Sequence, residues 1–205
     1  MKTYRVTILI SIAIVCVGGV LAAQLAKPTL PAPFATPSVR NAADIVAKPD
    51  ALQLQAPAGF TVSLYADNLQ GPRTMMYAPN GDLFVAESRR GSVVILRDTN
   101  NDGIPDTRSV YAQGLGGVFG MAFHDGYLYL GRTDSIIRYK YKDGDTEAQG
   151  TPEKLVDLPT GGHSTRNIVF SRDGKKMYVA VGSQSNKSDG EDPVRAAVNE
   201  YNADG

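Results

Sequence analysis

One short pattern occurs three times in this chain of 205 residues and constrains its fold more than any other feature. In each copy an apolar run leads into a turn with a glycine, and a second apolar run with an aromatic residue follows. The turn glycines are Gly81, Gly126 and Gly174, spaced by 45 and 48 residues, and the aromatic residues are Phe84, Tyr129 and Tyr178. Two short strands joined at such a turn form a β-hairpin. A hairpin repeated every 40 to 50 residues or so is typical of the four-stranded blades of a β-propeller.

The alternative is that three unrelated hairpins lie in a β-sandwich, and the shared aromatic position favours the repeat instead. Short apolar runs follow one another from Leu52 onward, without a long stretch of helical period. The predicted strands lie at residues 60–65, 82–87, 92–96, 126–130, 135–141, 168–170 and 177–181. Only residues 195–199 favour a helical turn. The sequence therefore predicts an all-β fold.

The number of repeats is small for a closed propeller. Residues 51–205 hold about three blades, whereas closed propellers have about four to eight. The last four residues, 202–205, resemble the start of another turn. We expect the chain to be an N-terminal piece of a longer propeller, with an unpaired strand edge on its last blade.

The N-terminus, residues 1–25, has the order of charges and apolar residues that is typical of an export signal. Lys2 and Arg5 precede an apolar helix at residues 6–23, and small residues at 22–23 offer a cleavage point. We expect the mature chain to be periplasmic or secreted. The alternative is an uncleaved membrane anchor, since about 20 apolar residues span a bilayer. In either case the membrane is contacted only through residues 6–23.

A Pro- and Ala-rich segment, residues 26–50, reads as an extended linker to the folded part. The chain has 21 basic and 21 acidic residues, so no strongly basic surface indicates nucleic-acid binding. Cys16 is the only cysteine, which excludes an internal disulfide and fits an apolar filler of the N-terminal helix.

The strongest candidate for chemistry is the third hairpin, residues 161–186. His163 lies in the loop that enters its first strand, and Ser183 and Asn186 lie in the loop that leaves its second strand. The two loops of an antiparallel hairpin meet at the same end, so these polar groups should be neighbours. On the residues alone, a loop histidine that bonds to the backbone is as good an interpretation of His163 as a catalytic one.

Three further sets of polar residues have alternatives of their own. Oxygen-bearing side chains alternate around a glycine turn at Asp98, Asn100, Asp102 and Asp106, as in the front of a calcium loop. The twelfth position is Ser109 instead of Glu, which favours an Asx-rich loop, with structural calcium as the alternative. Arg73, Glu87 and Arg89 lie at strand ends that face the His163 end or form surface ion pairs. His124 is expected in a surface turn at the opposite end.

Taken in order, five segments of the chain closely resemble the glucose/sorbosone dehydrogenase family. They are GFTVSLYA, APNGDLFVAESRRGSVVILRDTNNDG, GLGGVFGMAF, GYLYLGRTDSIIRYKY and LVDLPTGGHSTRNIVFSRDGKKMYVAVGSQSN. The resemblance runs from about Pro57 to Gly205 and covers the first half of the family's domain. It implies a six-bladed β-propeller and an exported sugar or aldose dehydrogenase that uses pyrroloquinoline quinone (PQQ) and calcium. It also implies a sugar or aldehyde substrate and an external electron acceptor such as a cytochrome or a quinone.

The resemblance implies a role for each residue of the third hairpin. His163 matches the general base that takes a proton from the sugar hydroxyl while the hydride goes to the quinone. The family's cofactor-binding arginine falls on either Arg166 or Asn167, a shift of one residue that would change the face of the strand. Ser183 and Asn186 are further candidates for polar contacts with the cofactor.

Two features depart from the family pattern. Leu115 stands where some relatives have a glutamine that contacts the quinone, and the remaining arginines, the lysine and the calcium-binding loops would lie beyond Gly205. We therefore expect this chain alone to turn over no aldose, even with PQQ and calcium. The alternative function is a non-catalytic propeller piece that binds a carbohydrate or a protein, and the coding sequence past Gly205 would distinguish the two.

Overall fold

The computed structural model describes residues 44, 46–186 and 190–205. The predicted export signal or anchor, residues 1–25, and most of the linker, residues 26–50, lie outside the described residues. The chain divides into two units, residues 1–48 and 49–205, and the second carries all the strands given below. Among the described residues, no helix is long and apolar enough to cross a membrane.

Eleven β-strands make up the regular structure of the described residues, and they form three antiparallel sheets. The first sheet contains β1 (Pro72–Tyr77), β2 (Leu83–Glu87), β3 (Ser92–Arg97) and β4 (Thr107–Ala112). The second contains β5 (Val118–His124), β6 (Tyr127–Arg132), β7 (Ser135–Lys140) and β8 (Glu153–Asp157). The third contains β9 (Arg166–Phe170), β10 (Lys176–Val181) and β11 (Ala197–Asn202). Strands adjacent in sequence are adjacent in each sheet, so the prediction of an all-β fold is confirmed.

The three repeated hairpins are also confirmed. Gly81, Gly126 and Gly174 lie in the turns between the first and second strands of the three sheets, with φ of 91°, 73° and 71°. These values belong to the left-handed region that glycine adopts without steric cost. Each repeat therefore builds the same part of a meander, an arrangement consistent with part of a propeller-like fold.

The aromatic residue of each repeat shows how the sheets follow one another. Phe84 is fully buried against the second sheet, and Tyr129, 1% exposed, packs against the third. Side chains alternate along a strand, so Tyr178 lies on the opposite face of β10 from the buried Met177 and Val179. Phe84 and Tyr129 thus occupy equivalent positions, each packed against the sheet that follows its own in sequence.

The strand predicted at residues 60–65 is absent, and that prediction was wrong. Phe60, Val62 and Leu64 are 73%, 56% and 71% exposed, and no strand pairs with this segment among the described residues. The chain packs on the first sheet only from the last residue of this segment onward, where Tyr65 and Leu69 cover one face of the sheet. Alternation in sequence makes a strand only where a neighbouring strand supplies hydrogen bonds.

The helical turn predicted at residues 195–199 was also wrong. A non-helical turn covers residues 193–196, and β11 begins at Ala197. Ala196 has a φ of 49°, outside the helical region. From Ala197 onward the backbone pairs with β10 in continuous register, and these ladder hydrogen bonds outweigh a weak local helical preference.

A pair of glycines in the second sheet lets the third sheet approach closely. Gly120 on β5 and Gly131 on β6 are directly opposite each other in the sheet. A Cβ atom added to either glycine would lie 2.2 Å from the carbonyl oxygen of Arg166 on β9. The two glycines therefore form a notch, the Gly120/Gly131 notch, in which the backbone of β9 at Arg166 is seated.

We predict that Gly131→Ala destabilises the protein by about 3 kcal/mol, near the upper end for overpacking a core, because the new methyl group meets backbone instead of a flexible side chain. Gly150→Ala is the matched control. Its φ is 71° and open space surrounds it, so it should cost only about 1 kcal/mol of backbone strain. Denaturant unfolding measures both, and a loss for Gly131→Ala no larger than that of the control would contradict the notch.

Candidate functional site

Strand directions bring a particular set of loops to one end of the three sheets. We call this the His163 end, and it is the end at which β1, β5 and β9 begin. The turn after β2 and the loops before β5, before β9 and after β10 lie there. The expected meeting of the His163 loop with residues 182–186 is therefore seen. The loop at residues 98–106 and His124 lie at the opposite end, because β3 and β5 end there.

The His163 loop is joined to the loop after β10 by backbone hydrogen bonds. The N–H of His163 donates to the carbonyl oxygen of Ser183 at 2.9 Å, and the N–H of Gly182 donates to that of Thr165 at 3.3 Å. A Cβ atom on Gly182 would lie 2.7 Å from the Cβ atom of His163. The two loops thus continue the β9–β10 pairing, and a glycine is needed at position 182 for the histidine to fit.

The imidazole of His163 is exposed, and one of its nitrogens is held by a neighbour. Its Nε2 lies 2.8 Å from the Oδ1 atom of Asn186. An amide oxygen only accepts hydrogen bonds, so Nε2 carries a proton and donates it. In the neutral ring the lone pair is then on Nδ1. This geometry suits a base that takes a proton at Nδ1.

The guanidinium group of Arg166 is buried beneath the His163 loop. Its Nη1 atom donates to the carbonyl oxygens of His163 at 2.9 Å and Thr165 at 2.8 Å, and its Nη2 atom donates to that of Pro159 at 2.8 Å. The Nε atom is buried and has no acceptor. Burial, and next the charge of Arg195, lower the pKa of Arg166 from its ordinary value. The side chain thus holds the loop from within.

Arg195 is the second buried cation of this site, and the sequence analysis missed it. Its side chain, 5% exposed, reaches from the loop after β10 to the same segment. Nη2 donates to the carbonyl oxygens of Pro159 at 3.1 Å, Thr160 at 2.5 Å and Gly161 at 3.0 Å, and Nη1 donates to that of Gly182 at 3.3 Å. No sequence pattern marks an arginine that bonds to backbone carbonyl oxygens of its own loop and of the loop before β9.

The structure separates the other candidates of the third hairpin. Arg166 and Asn167 lie on opposite faces of β9, and Asn167 is exposed. Of the two, only Asn167 leaves its side chain open to a ligand. The hydroxyl of Ser183 donates to the carbonyl oxygen of Ser185 at 3.0 Å, so it takes part in folding the loop.

The first sheet adds exposed cations at the His163 end. Arg73 and Arg89 are exposed, and the guanidinium carbon of Arg73 lies 5.5 Å from the ring centre of Phe119. Glu87 has a different environment: it is fully buried and accepts hydrogen bonds from Ser92 at 2.8 Å and Arg108 at 3.1 Å. Arg73 and Arg89 therefore remain candidates for ligand contact, and Glu87 is an internal ion-pair partner.

His124 was expected in a surface turn at the end opposite to His163: the end is as expected, but His124 is the last residue of β5 and not a surface turn residue. Its ring is half-buried and stacked on the ring of Phe170, with centroids 4.1 Å apart. A Cβ atom on Gly174 would lie 2.7 Å from this imidazole. His124 thus packs between the second and third sheets, because the first turn of the second sheet lies against that of the third.

The carboxylates of the loop at residues 98–106 bond to its own donors. Asp98 accepts from the N–H of Gly103 at 2.8 Å, Asp102 accepts from that of Ile104 at 2.8 Å, and Asp106 accepts from that of Thr99 at 2.6 Å. Within the described residues, no group of three or more His, Cys, Asp or Glu side chains is placed to hold a metal ion. The structural calcium at Asp98, Asn100, Asp102 and Asp106 stays a prediction.

Comparisons with known proteins place the fold. Residues 54–202 match the family model described as TrAA12-like. A Trichoderma reesei protein of Carbohydrate-Active Enzymes Family AA12, in its calcium structure, is 21% identical, with a TM-score of 0.58 over 68% of this chain and 37% of that one. The holo PQQ domain of pyranose dehydrogenase from Coprinopsis cinerea is 20% identical, with a TM-score of 0.57 over 68% and 35%.

The PQQ-bound aldose sugar dehydrogenase from Streptomyces coelicolor is 18% identical, with a TM-score of 0.54 over 70% of this chain and 48% of that one. At such identities the likeness shows the fold. The chain thus spans between 35% and 48% of the length of these three structures. A search of curated proteins gave no match. The resemblance inferred from the sequence is confirmed.

The bond between His163 and Asn186 makes a prediction for the neutral imidazole. We expect proton–nitrogen NMR correlations of the ring to show the Nε2–H form alone in the wild-type chain. Asn186→Ala should give a mixture of both neutral forms, because nothing then selects the proton at Nε2. Ser183→Ala is the control and should leave the ring signals unchanged. A wild-type ring with its proton on Nδ1 would contradict the assignment.

Proposed function

Because the chain belongs to the TrAA12-like family, we propose that it forms part of an exported, PQQ-dependent sugar dehydrogenase with His163 as general base. The observation that carries this proposal is the exposed imidazole of His163, whose Nε2 is held by Asn186. The names of two similar structures, a pyranose dehydrogenase PQQ domain and a PQQ-bound aldose sugar dehydrogenase, support the choice of cofactor and substrate.

The donors at the His163 end fit an anionic, planar quinone. Arg73 and Arg89 offer exposed guanidinium groups, which pair with carboxylates and stack on flat rings. Asn167 offers an exposed amide on β9 beside the His163 loop. We assign cofactor contacts to these three residues. We assign Arg166 the role of supporting the loop. Bound PQQ supplies a hydride acceptor, and the protein supplies binding and orientation.

The described residues fit calcium less well than they fit the quinone. One similar structure is named for calcium, but in the part of this chain that the structure describes, no cluster of acidic or imidazole side chains is placed to hold a metal ion. We therefore derive no step of the reaction through calcium from these residues.

The chemistry of this chain's own residues is proton transfer. Asn186 keeps the proton on Nε2, so Nδ1 of His163 accepts the proton of the sugar's C1 hydroxyl as that carbon loses its hydride. The sugar becomes a carbonyl compound, and the proton stays on the imidazole until it is released to water. General bases of this kind contribute about 10²- to 10⁴-fold to a rate.

The remaining parts of the proposal concern the whole protein. The three sheets act as blades of a six-bladed propeller, residues 1–25 direct export, and residues 26–50 link the propeller to the N-terminus. The partner that would accept the electrons is external, such as a cytochrome or a quinone. Because the chain spans at most 48% of the three structures, the 205-residue chain alone is expected to turn over no sugar.

That limited coverage also favours one second candidate, a non-catalytic module that binds a carbohydrate or a protein. The two functions differ in one observable property. The dehydrogenase reduces an artificial dye with aldoses when PQQ and Ca²⁺ are present, and the binding module does not.

The test is a dye-linked assay on the 205-residue chain and on the full product of its gene. We expect turnover by the full product only. In that product, His163→Gln should lower kcat by about 100-fold or more and leave the Kd for PQQ within threefold. His124→Gln is the matched control, because His124 packs at the opposite end of the sheets.

Two results would contradict the proposal. One is unchanged kcat in His163→Gln, which would remove this residue from the reaction. The other is a full product that neither binds PQQ nor oxidises any aldose, which would favour the binding module.

A further inference from the structure

Two arginines are buried together beneath the loop that carries His163, and within the described residues both donate hydrogen bonds to backbone carbonyl oxygens. Arg166 is fully buried and Arg195 is 5% exposed. Between them they donate to six carbonyl oxygens in the described residues: those of Pro159, Thr160, Gly161, His163, Thr165 and Gly182. They share one acceptor, the carbonyl oxygen of Pro159.

Burying these two charged side chains costs more free energy than is needed only to fold a loop. Burying a charge costs free energy unless it is well bonded, and two like charges that face the same carbonyl repel each other. A short loop can be folded with neutral side chains at less cost. The arrangement therefore indicates a requirement that only guanidinium groups meet, namely several parallel N–H donors in one rigid plane.

The two side chains come from different parts of the fold. Arg166 belongs to β9, whose backbone is seated in the Gly120/Gly131 notch of the second sheet. Arg195 belongs to the loop after β10, which also carries the backbone partner of His163, Ser183. Residues 159–163 are thus held by two elements of the third sheet: β9, which is seated against the second sheet, and the loop between β10 and β11.

We propose that Arg195, acting together with Arg166, is a positioning residue for His163. It fixes residues 159–161 and Gly182, so that the imidazole stays within reach of Asn186 and Nδ1 keeps its direction. Arg195 touches neither substrate nor cofactor in this role. The inference rests on the proposed function for its effect on turnover, but its effect on the loop can be measured without any reaction.

The first arm measures amide hydrogen exchange in the 205-residue chain. Arg195→Lys keeps the positive charge and loses the planar fork of donors. We expect the amide of His163, which bonds to Ser183, to exchange about tenfold faster or more, while the amides of β2 and β3 keep their rates, because local opening is separate from global unfolding. Arg138→Lys is the matched control: Arg138 is a half-buried arginine on β7, and its Nε atom lies 2.8 Å from a carboxylate oxygen of Glu153.

Each outcome of the exchange measurement decides whether Arg195 holds the His163 loop. Faster exchange at His163 alone, absent from Arg138→Lys, supports the proposal. Wild-type exchange at His163 overturns it. Faster exchange at His163, β2 and β3 together also overturns it, because Arg195 would then stabilise the whole fold and have no special relation to this loop.

The second arm uses the full gene product with PQQ, Ca²⁺ and an aldose. We expect Arg195→Lys to lower kcat by about tenfold to 100-fold, as for a small misplacement of a reacting group, with KM within threefold. An unchanged kcat together with faster exchange at His163 would overturn the positioning role. If no protein form turns over sugar, the proposed function fails, and the exchange arm still decides whether Arg195 holds the His163 loop.

Discussion

The close contact of β9 with the second sheet is the constraint on which the rest of this structure depends. The carbonyl oxygen of Arg166 occupies space that a Cβ atom on Gly120 or Gly131 would fill. Most sheets pack with side chains between them, about 10 Å apart, and here backbone meets backbone at one point. That point fixes the height and the rotation of β9, and with them the side of the strand on which each residue projects.

The candidate site follows from this seating. With its backbone against the glycines, Arg166 directs its guanidinium under the loop, and Asn167 projects from the opposite face. The buried arginines then hold the backbone on both sides of His163, whose ring is exposed and bonded to Asn186. The arrangement places two buried guanidinium groups below the loop and the exposed imidazole above it.

Much of the fold could be predicted because local chemistry determines it. Gly81, Gly126 and Gly174 adopt a φ that favours glycine, so the hairpins were visible in the sequence. The meeting of His163 with Asn186 followed from hairpin geometry alone. The prediction of a strand at residues 60–65 was wrong because a strand needs a neighbouring strand to pair with. The local sequence does not show that this segment has no such neighbour among the described residues.

The parts that could not be predicted depend on contacts between sheets. Whether Arg166 or Asn167 faces inward is set by the register of β9 against Gly120 and Gly131, which lie some 35 to 46 positions earlier in the chain. Glycines inside strands do signal a close backbone approach, and this signal was available. Arg195 gave no signal, since its partners are carbonyl groups that every residue carries.

A crystal structure of the 205-residue chain tests the central claim most directly. The account predicts that the carbonyl oxygen of Arg166 contacts the Cα atoms of Gly120 and Gly131, and that its guanidinium lies within hydrogen-bonding distance of the carbonyl oxygens of Pro159 and His163. A guanidinium of Arg166 on the exposed face of β9, with Asn167 buried in its place, would contradict it.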